Sequence, residues 1–357
     1  MALLAAIAVA TPLFATTVSA ETNAEEDSSK WYYNQLDVNG KAIYDALSTT
    51  DPSITSATVN LPVTLWAKSN IQGEAEELLE ASFRKTINLA YDAVRISSPL
   101  SFWVWDRSAL HSVPNVEREP AEAGYRYVYS LSSATFTLSL DLYRTADADF
   151  PGVQKMIEDI RTVVDNFSSD STTMRGKVLD INNYLTNLIT YDPHAGTTGR
   201  SIYAHDAYGA LAGPSNYAVC DGYSKAFLLL CEKEGIDCVI VLGTEIQDYI
   251  NHAWNYVKME DGKWYAIDVT WNDSSGNAYF LAGGETFFAS HQEGIYLNTG
   301  TPTYDLESPV VSMSPYDPPA ISPSILFALI TVAMIGGIVL VLMYLQGRRH
   351  HRKKHHN

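Results

Sequence analysis

Cysteine is scarce in this chain, with three in 357 residues. A disulfide-stapled fold is thereby excluded, and the 46% of apolar residues must supply the core. Positive charge is scarce too: 24 Lys and Arg stand against 41 Asp and Glu, a net charge of −17. Arg348, Arg349, Arg352, Lys353 and Lys354 crowd into the C-terminal tail, so the rest of the chain is more acidic still. Such a surface repels nucleic acid and anionic lipid headgroups, and no nucleic-acid partner is expected. Its simplest use is solubility outside the cell. There is no internal repeat, which excludes a solenoid. The acidic residues show no EF-hand spacing, and Asp192, His194, His205 and Asp206 fit no familiar metal motif. No metal and no cofactor are expected.

Long apolar runs occur at two places. Residues 1–20 are apolar and end in Val18-Ser19-Ala20, the pattern of a signal peptide cut after Ala20, although no Lys or Arg precedes the run. Residues 325–345 form an apolar stretch of 21. At about 1.5 Å per residue it reaches roughly 31 Å, enough for a membrane-spanning helix. The basic tail, 346–357, then belongs in the cytoplasm. Its His350, His351, His355 and His356 read as incidental to a stop-transfer anchor. Residues 301–324, rich in Pro and Ser, read as an extended stalk. The expectation is a single-pass cell-membrane protein with its N-terminal domain extracellular.

The chemistry concentrates between Ala218 and Asp273. Apolar residues at Ala226, Phe227, Leu229 and Leu230 predict a helix with a buried face, stopped by Gly235. Cys220 falls at its N-terminus, where unpaired N–H groups and the helix dipole favour the thiolate, the nucleophilic form. Residues 252–259 and 263–271 predict two strands around Glu260-Asp261-Gly262. A two-residue turn would put His252 and Asp268 on opposite faces. A three-residue loop with Gly262 left-handed pairs Trp254 with Asp268 and puts His252 and Asp268 on one face, within side-chain reach. The odd-length loop is expected. Cys231 and Cys238 are either a disulfide pair or two small buried residues.

The run GYSKAF after a cysteine, then HAWN, then WYAIDVTW, resembles the transglutaminase-like superfamily in its secreted bacterial or archaeal form. The resemblance is strong over 175–291 and weak over 31–170. It implies an α+β chain with a papain-like core, a nucleophile helix packed on an antiparallel sheet. That core would span 171–300, after an N-terminal α+β region at 31–170. By resemblance Cys220 is the nucleophile, His252 the base and acid, and Asp268 the carboxylate that orients His252. The implied reaction is acyl transfer or hydrolysis at a protein or peptide amide through a thioester, on substrates at the cell surface. A cysteine peptidase shares this set, and an inactive surface scaffold or binding module is the alternative from another class. Asn216 and Tyr217 are candidate oxyanion donors by proximity to Cys220. Residues 277–292 resemble the family's closing strand and its terminal histidine, His291, read as structural.

Elsewhere, helices are expected over 31–48, 74–95, 153–167 and 172–189. Strands are expected over 56–66, 101–106, 124–130 and 135–143. Glu21 to Lys30 is polar and expected to lack structure. The loop 193–216 is expected to wall the cleft. Asn166 and Asn272 match glycosylation acceptors.

Overall fold

A computed structural model describes residues 28–49, 56–104, 110–138, 150–195, 203–294 and 306–318, with isolated residues between 331 and 343. The signal segment and the basic tail lie outside these residues, as does most of the apolar stretch 325–345. Among the described residues no helix is long and apolar enough to cross a membrane.

The chain enters through a 3-10 turn, Ser28–Lys30, so the end of the polar leader is structured after all. The Ser28 hydroxyl accepts the Cys238 N–H at 3.2 Å and anchors it. Helices α1 (Trp31–Asn34) and α2 (Val38–Thr49) share the expected first helical stretch. Strand β1 (Ser56–Ser69) leads to α3 (Glu74–Ser97). Leu79, Phe83, Ile87, Ala90 and Val94 recur at helical spacing on α3 and all are buried. Glu74, Glu76 and Glu77 fill its first turn, where the helix dipole favours negative charge.

Two strand expectations fail here. Residues Pro99–Val104 form a 3-10 turn instead of a strand over 101–106. The Ser101 N–H bonds the Ser98 carbonyl at 2.9 Å, and its hydroxyl donates to the Ser48 carbonyl at 3.1 Å. Phe102 is buried from this turn, so its apolar bulk reports packing and not strand pairing. Trp105 and Asp106 lie outside the described residues. The chain continues into β2 (Leu110–Glu119), which the sequence reading missed, and β3 (Tyr127–Leu138), one strand where two were expected. The register shifts opposite β3, between Asn60 and Leu65 on β1 and between Pro114 and Val116 on β2. Such irregularities break the period-two alternation, so one strand reads as two. The antiparallel sheet runs β1-β3-β2.

The second half carries α4 (Phe150–Asn166) and α5 (Met174–Leu188), both as expected. Thr173 caps α5, its hydroxyl accepting the Gly176 N–H at 3.1 Å. Then come β4 (Thr190–Tyr191), α6 (Ala207–Leu211), β5 (Tyr217–Ala218), α7 (Cys220–Lys233), β6 (Cys238–Glu245), β7 (Asn251–Lys258) and β8 (Trp264–Ile267). Helix α8 (Val269–Ser275), helix α9 (Gly284–Phe287) and β9 (His291–Glu293) complete the set. The closing strand is therefore three residues long, because a short helix occupies the middle of 277–292.

An antiparallel sheet of order β8-β7-β6-β9 supports α7, which also touches α5, α6 and α8. Every residue from Asp221 to Cys231 on α7 is buried, so this helix is central and not amphipathic. It ends in paired bonds, Ile236 N–H to the Cys231 carbonyl at 2.9 Å and Gly235 N–H to the Glu232 carbonyl at 3.2 Å.

Residues 306–318 correct the stalk expectation, because this part of it is a strap bound to the domain. Val311 bridges Trp264 in parallel, and the Ser312 N–H donates to the Trp264 carbonyl at 2.8 Å. The Tyr316 N–H reaches the Leu281 carbonyl at 3.1 Å, and the Trp31 indole N–H reaches the Glu307 carbonyl at 2.8 Å. The strap covers the β8 edge, which would otherwise offer free backbone groups. Amide exchange at Ser312 and Tyr316 is therefore expected to be protected like that of β8. Exchange at unfolded-chain rates would show a free stalk.

Candidate active site

Cys220 is the first residue of α7, half-buried, with Val219 as the extended residue before it. The parallel pair β4–β5 delivers it, Tyr191 lying opposite Ala218, two residues upstream of the thiol. The amides of the first turn of α7 thus lie next to Cys220.

His252 and Asp268 come from the hairpin. The pairs Lys258–Trp264, Val257–Tyr265, Tyr256–Ala266 and Asn255–Ile267 fix its register. Met259 N–H bonds the Lys263 carbonyl at 2.9 Å, leaving Glu260, Asp261 and Gly262 as a three-residue loop. Gly262 has φ of 77°, the left-handed conformation that glycine adopts without strain. This is the odd-length loop expected. The second strand is shorter than expected, however: it ends at Ile267, and Asp268 is the N-cap of α8. Its Oδ1 accepts the Trp271 N–H at 3.0 Å. A buried Asp that caps a helix stops the strand, because that oxygen satisfies an orphan amide of the next turn.

His252 Nε2 donates to Asp268 Oδ2 at 2.7 Å. The Cys220 thiol is a neighbour of the His252 ring and favours its charged form. With Nε2 engaged, Nδ1 is the ring atom left for sulfur. Trp271 lies over the imidazole, centroids 5.3 Å apart. Burial disfavours a charged His252, but the Asp268 carboxylate and the thiol outweigh it and push its pKa up to about 10. Burial would raise Asp268, but His252 and then His291 hold it down at about 2. His291 meets the same oxygen, its Nε2 3.1 Å from Asp268 Oδ2. The ligand-capable atoms of His252, Asp268 and His291 lie within 4.8 Å of one another. They are bonded to one another through N–H···O contacts, so the cluster reads as a hydrogen-bonded chain.

Other expectations sort clearly. The Asn216 amide donates to the Ala210 carbonyl at 2.9 Å, so it is engaged with α6. Cys231 and Cys238 are both reduced, buried and adjacent, the second of the two readings. Burial, then Cys238, pushes the Cys231 thiol well up, as expected for an inert residue. Asn272 is buried, bonded to Asn182 and to the Tyr279 N–H, and is not an accessible glycan acceptor. Of the loop 193–216, residues 196–202 lie outside the described set; the rest packs beside α7, with Tyr203 against Tyr208.

The sequence reading missed a charge cluster directly behind the nucleophile. Asp221 Oδ1 pairs with His205 Nδ1 at 2.9 Å, and Lys225 Nζ lies 3.5 Å from Asp221 Oδ2. Lys225 is buried and also donates to the His205 carbonyl. Burial pushes Lys225 down to about 8. Burial would raise Asp221, but Lys225 and His205 hold it well below the usual carboxylate range. The i,i+4 spacing of Asp221 and Lys225 was the available signal.

Residues 161–269 match the transglutaminase-like superfamily. That segment runs from α4 to the first residue of α8 and contains Cys220, His252 and Asp268. Members of this superfamily are cysteine enzymes. Among solved structures, one similar chain is described as a "putative cysteine protease" from Cytophaga hutchinsonii. It is 14% identical, covering 52% of this chain and 68% of its own, with a TM-score of 0.27. Another is described as a TGase, 14% identical over 69% of this chain and 58% of its own, with a TM-score of 0.28. Comparison with curated proteins gives no match.

Two outcomes follow. Lys225→Met leaves Asp221 buried beside a lost partner and is expected to cost about 3–5 kcal/mol in chemical denaturation. Asp221→Asn in the same chain should recover much of that; equal loss in the single and double variants would deny the coupling. The second concerns pH. The contribution of raised His252 to stability is complete below about 6.5 and is lost as pH rises through about 10. That of depressed Asp268 is complete above about 3.9 and is lost as pH falls through about 2. Ring resonances of His252 are expected to titrate near 10, and Asp268→Asn should bring the midpoint to 6.5 or below. A wild-type midpoint near 6.5 would contradict the buried ion pair.

Proposed function

We propose that this protein is a membrane-tethered extracellular cysteine enzyme of the transglutaminase-like type, acting on protein or peptide amides. The observation that supports it most directly is a buried imidazole hydrogen-bonded to a buried carboxylate, next to a cysteine that opens a helix. An imidazole so placed can take the thiol proton and later return it to a leaving group.

In the proposed reaction the Cys220 sulfur attacks an amide carbonyl carbon. The C=O electron pair moves onto oxygen, stabilised by backbone N–H groups at the start of α7. The pair returns, the C–N bond breaks, and His252 Nδ1 gives its proton to the departing nitrogen. Ammonia leaves from a glutamine side chain, or an amine from a peptide bond, and Cys220 holds the acyl group as a thioester. Water or a primary amine then attacks that carbonyl, His252 takes a proton from it, and the thiolate departs. Asp268 keeps Nε2 protonated and Nδ1 aimed at the sulfur, without itself exchanging a proton. Water yields hydrolysis; an amine yields a crosslink.

The tether reading draws on the apolar stretch 325–345 and the basic tail after it. Met334, Ile335, Ile338, Val339, Leu340 and Met343 there are exposed and apolar, the character a lipid-facing segment needs.

The test is intact mass after brief mixing with a glutamine-containing peptide and quenching in acid. An acyl adduct is expected on the wild type, discharged by added primary amine or by water. It should be missing in Cys220→Ala and reduced about 10²–10⁴-fold in rate in His252→Ala. Adduct formation that survives Cys220→Ala would sink the assignment, and failure to acylate across a broad peptide set would favour the scaffold.

A further inference from the structure

Asp268 has one more donor than its partnership with His252 requires. Its side chain is wholly buried. Oδ1 takes the Trp271 N–H, while Oδ2 takes both His252 Nε2 at 2.7 Å and His291 Nε2 at 3.1 Å. We propose that His291 is a positioning residue, which holds the Asp268 carboxylate in the orientation that presents Oδ2 to His252. This rests on the reading of Cys220, His252 and Asp268 as the reacting set.

The His291 ring is itself held tightly. It stacks on Phe287 with centroids 3.9 Å apart and planes at 17°. Trp254 and Tyr279 meet it edge-on at 5.0 and 5.5 Å, and Trp271 lies 4.5 Å away. Ser290 Oγ is 2.9 Å from Nδ1 and 3.3 Å from the Phe287 carbonyl, so it can serve Nδ1 as donor or acceptor, while the carboxylate facing Nε2 calls for a ring proton there. The Phe287 carbonyl, 3.2 Å from Nδ1, provides an acceptor whenever the ring is doubly protonated. The site can therefore keep an N–H aimed at Asp268 in either charge state of the ring.

Packing alone does not account for this residue. A phenylalanine would fill the same slot between Phe287 and the two tryptophans without burying an imidazole beside a carboxylate. The fold also devotes an element to it. Strand β9 pairs with β6 through Glu245–His291, Thr244–Gln292 and Gly243–Glu293, and Gly243 in turn faces His252 across the sheet. One strand end thus brings His252 and His291 to the same carboxylate from two sides. A carboxylate fixed by three donors cannot rotate away from the catalytic imidazole, the role that outer hydrogen bonds play for metal-binding histidines.

The test uses the full chain with nitrogen-labelled histidine, in wild type, His291→Phe, His291→Leu and His291→Gln. Gln places an amide N–H near the position of Nε2. The His252 Nε2–H proton is expected to be sharp and downfield in the wild type and in His291→Gln, and broadened by exchange in His291→Phe and His291→Leu. Iodoacetamide alkylation of Cys220 at about pH 6 should slow about 10–100-fold in the Phe and Leu variants and recover in Gln. Loss of thermal stability with an unchanged His252 proton and unchanged alkylation would overturn the positioning role. If wild-type Cys220 reacts no faster than an ordinary thiol while the Phe variant still broadens the His252 proton, the enzymatic reading fails and the positioning role stands.

Discussion

The site depends on one buried hydrogen bond, from His252 Nε2 to Asp268 Oδ2. Its existence is a matter of parity. Side chains alternate along strands, so a loop shorter by one residue would turn the two groups to opposite faces. The three-residue loop with left-handed Gly262 sets the pairing, and the pairing places the imidazole over the carboxylate. Everything else then follows from desolvation. Inside the sheet-and-helix core, a lone imidazolium or carboxylate would be costly; paired, each holds the other charged. The same pairing that makes the site tolerable to bury is the one the proposed reaction uses.

The charges around the site form two layers with different tasks. On one side, His252, Asp268 and His291 form a chain leading away from the sulfur. On the other, Asp221, Lys225 and His205 lie behind the first turn of α7 and bind it to the loop that precedes it. Asp221 is negative and adjacent in sequence to Cys220, which by itself would disfavour a thiolate. Lys225 and His205 offset that charge, so the first turn keeps the favourable sign of its dipole. The strap over β8 plays a mechanical part, joining α1 to the hairpin through Glu307 and Val311.

Much of this was legible in the sequence where local rules and tertiary demands agree. Helix α7, its glycine stop, the hairpin loop and the shared face of His252 and Asp268 all follow from spacing and turn chemistry. The reading failed where tertiary contacts override local pattern. Asp268 reads as a strand residue until its carboxylate is seen capping Trp271. β3 reads as two strands because its neighbours shift register beside it. Phe102 reads as strand-forming because aromatic content does not distinguish a strand from a buried turn. His291 reads as structural because its partner is 23 positions away, and no local rule links them. The strap reads as a stalk because Pro- and Ser-rich chain has no periodicity even when its backbone is bonded.

The proposed chemistry rests on His252 activating the Cys220 sulfur. The most direct measurement is a short iodoacetamide pulse on the folded chain across about pH 5 to 8, with each of Cys220, Cys231 and Cys238 resolved by peptide mass. Rapid, single labelling at Cys220 is expected already at the acid end, slowed in His252→Ala, while Cys231 and Cys238 stay unmodified. Slow labelling of Cys220 that rises only toward the alkaline end, unaffected by His252→Ala, would contradict it.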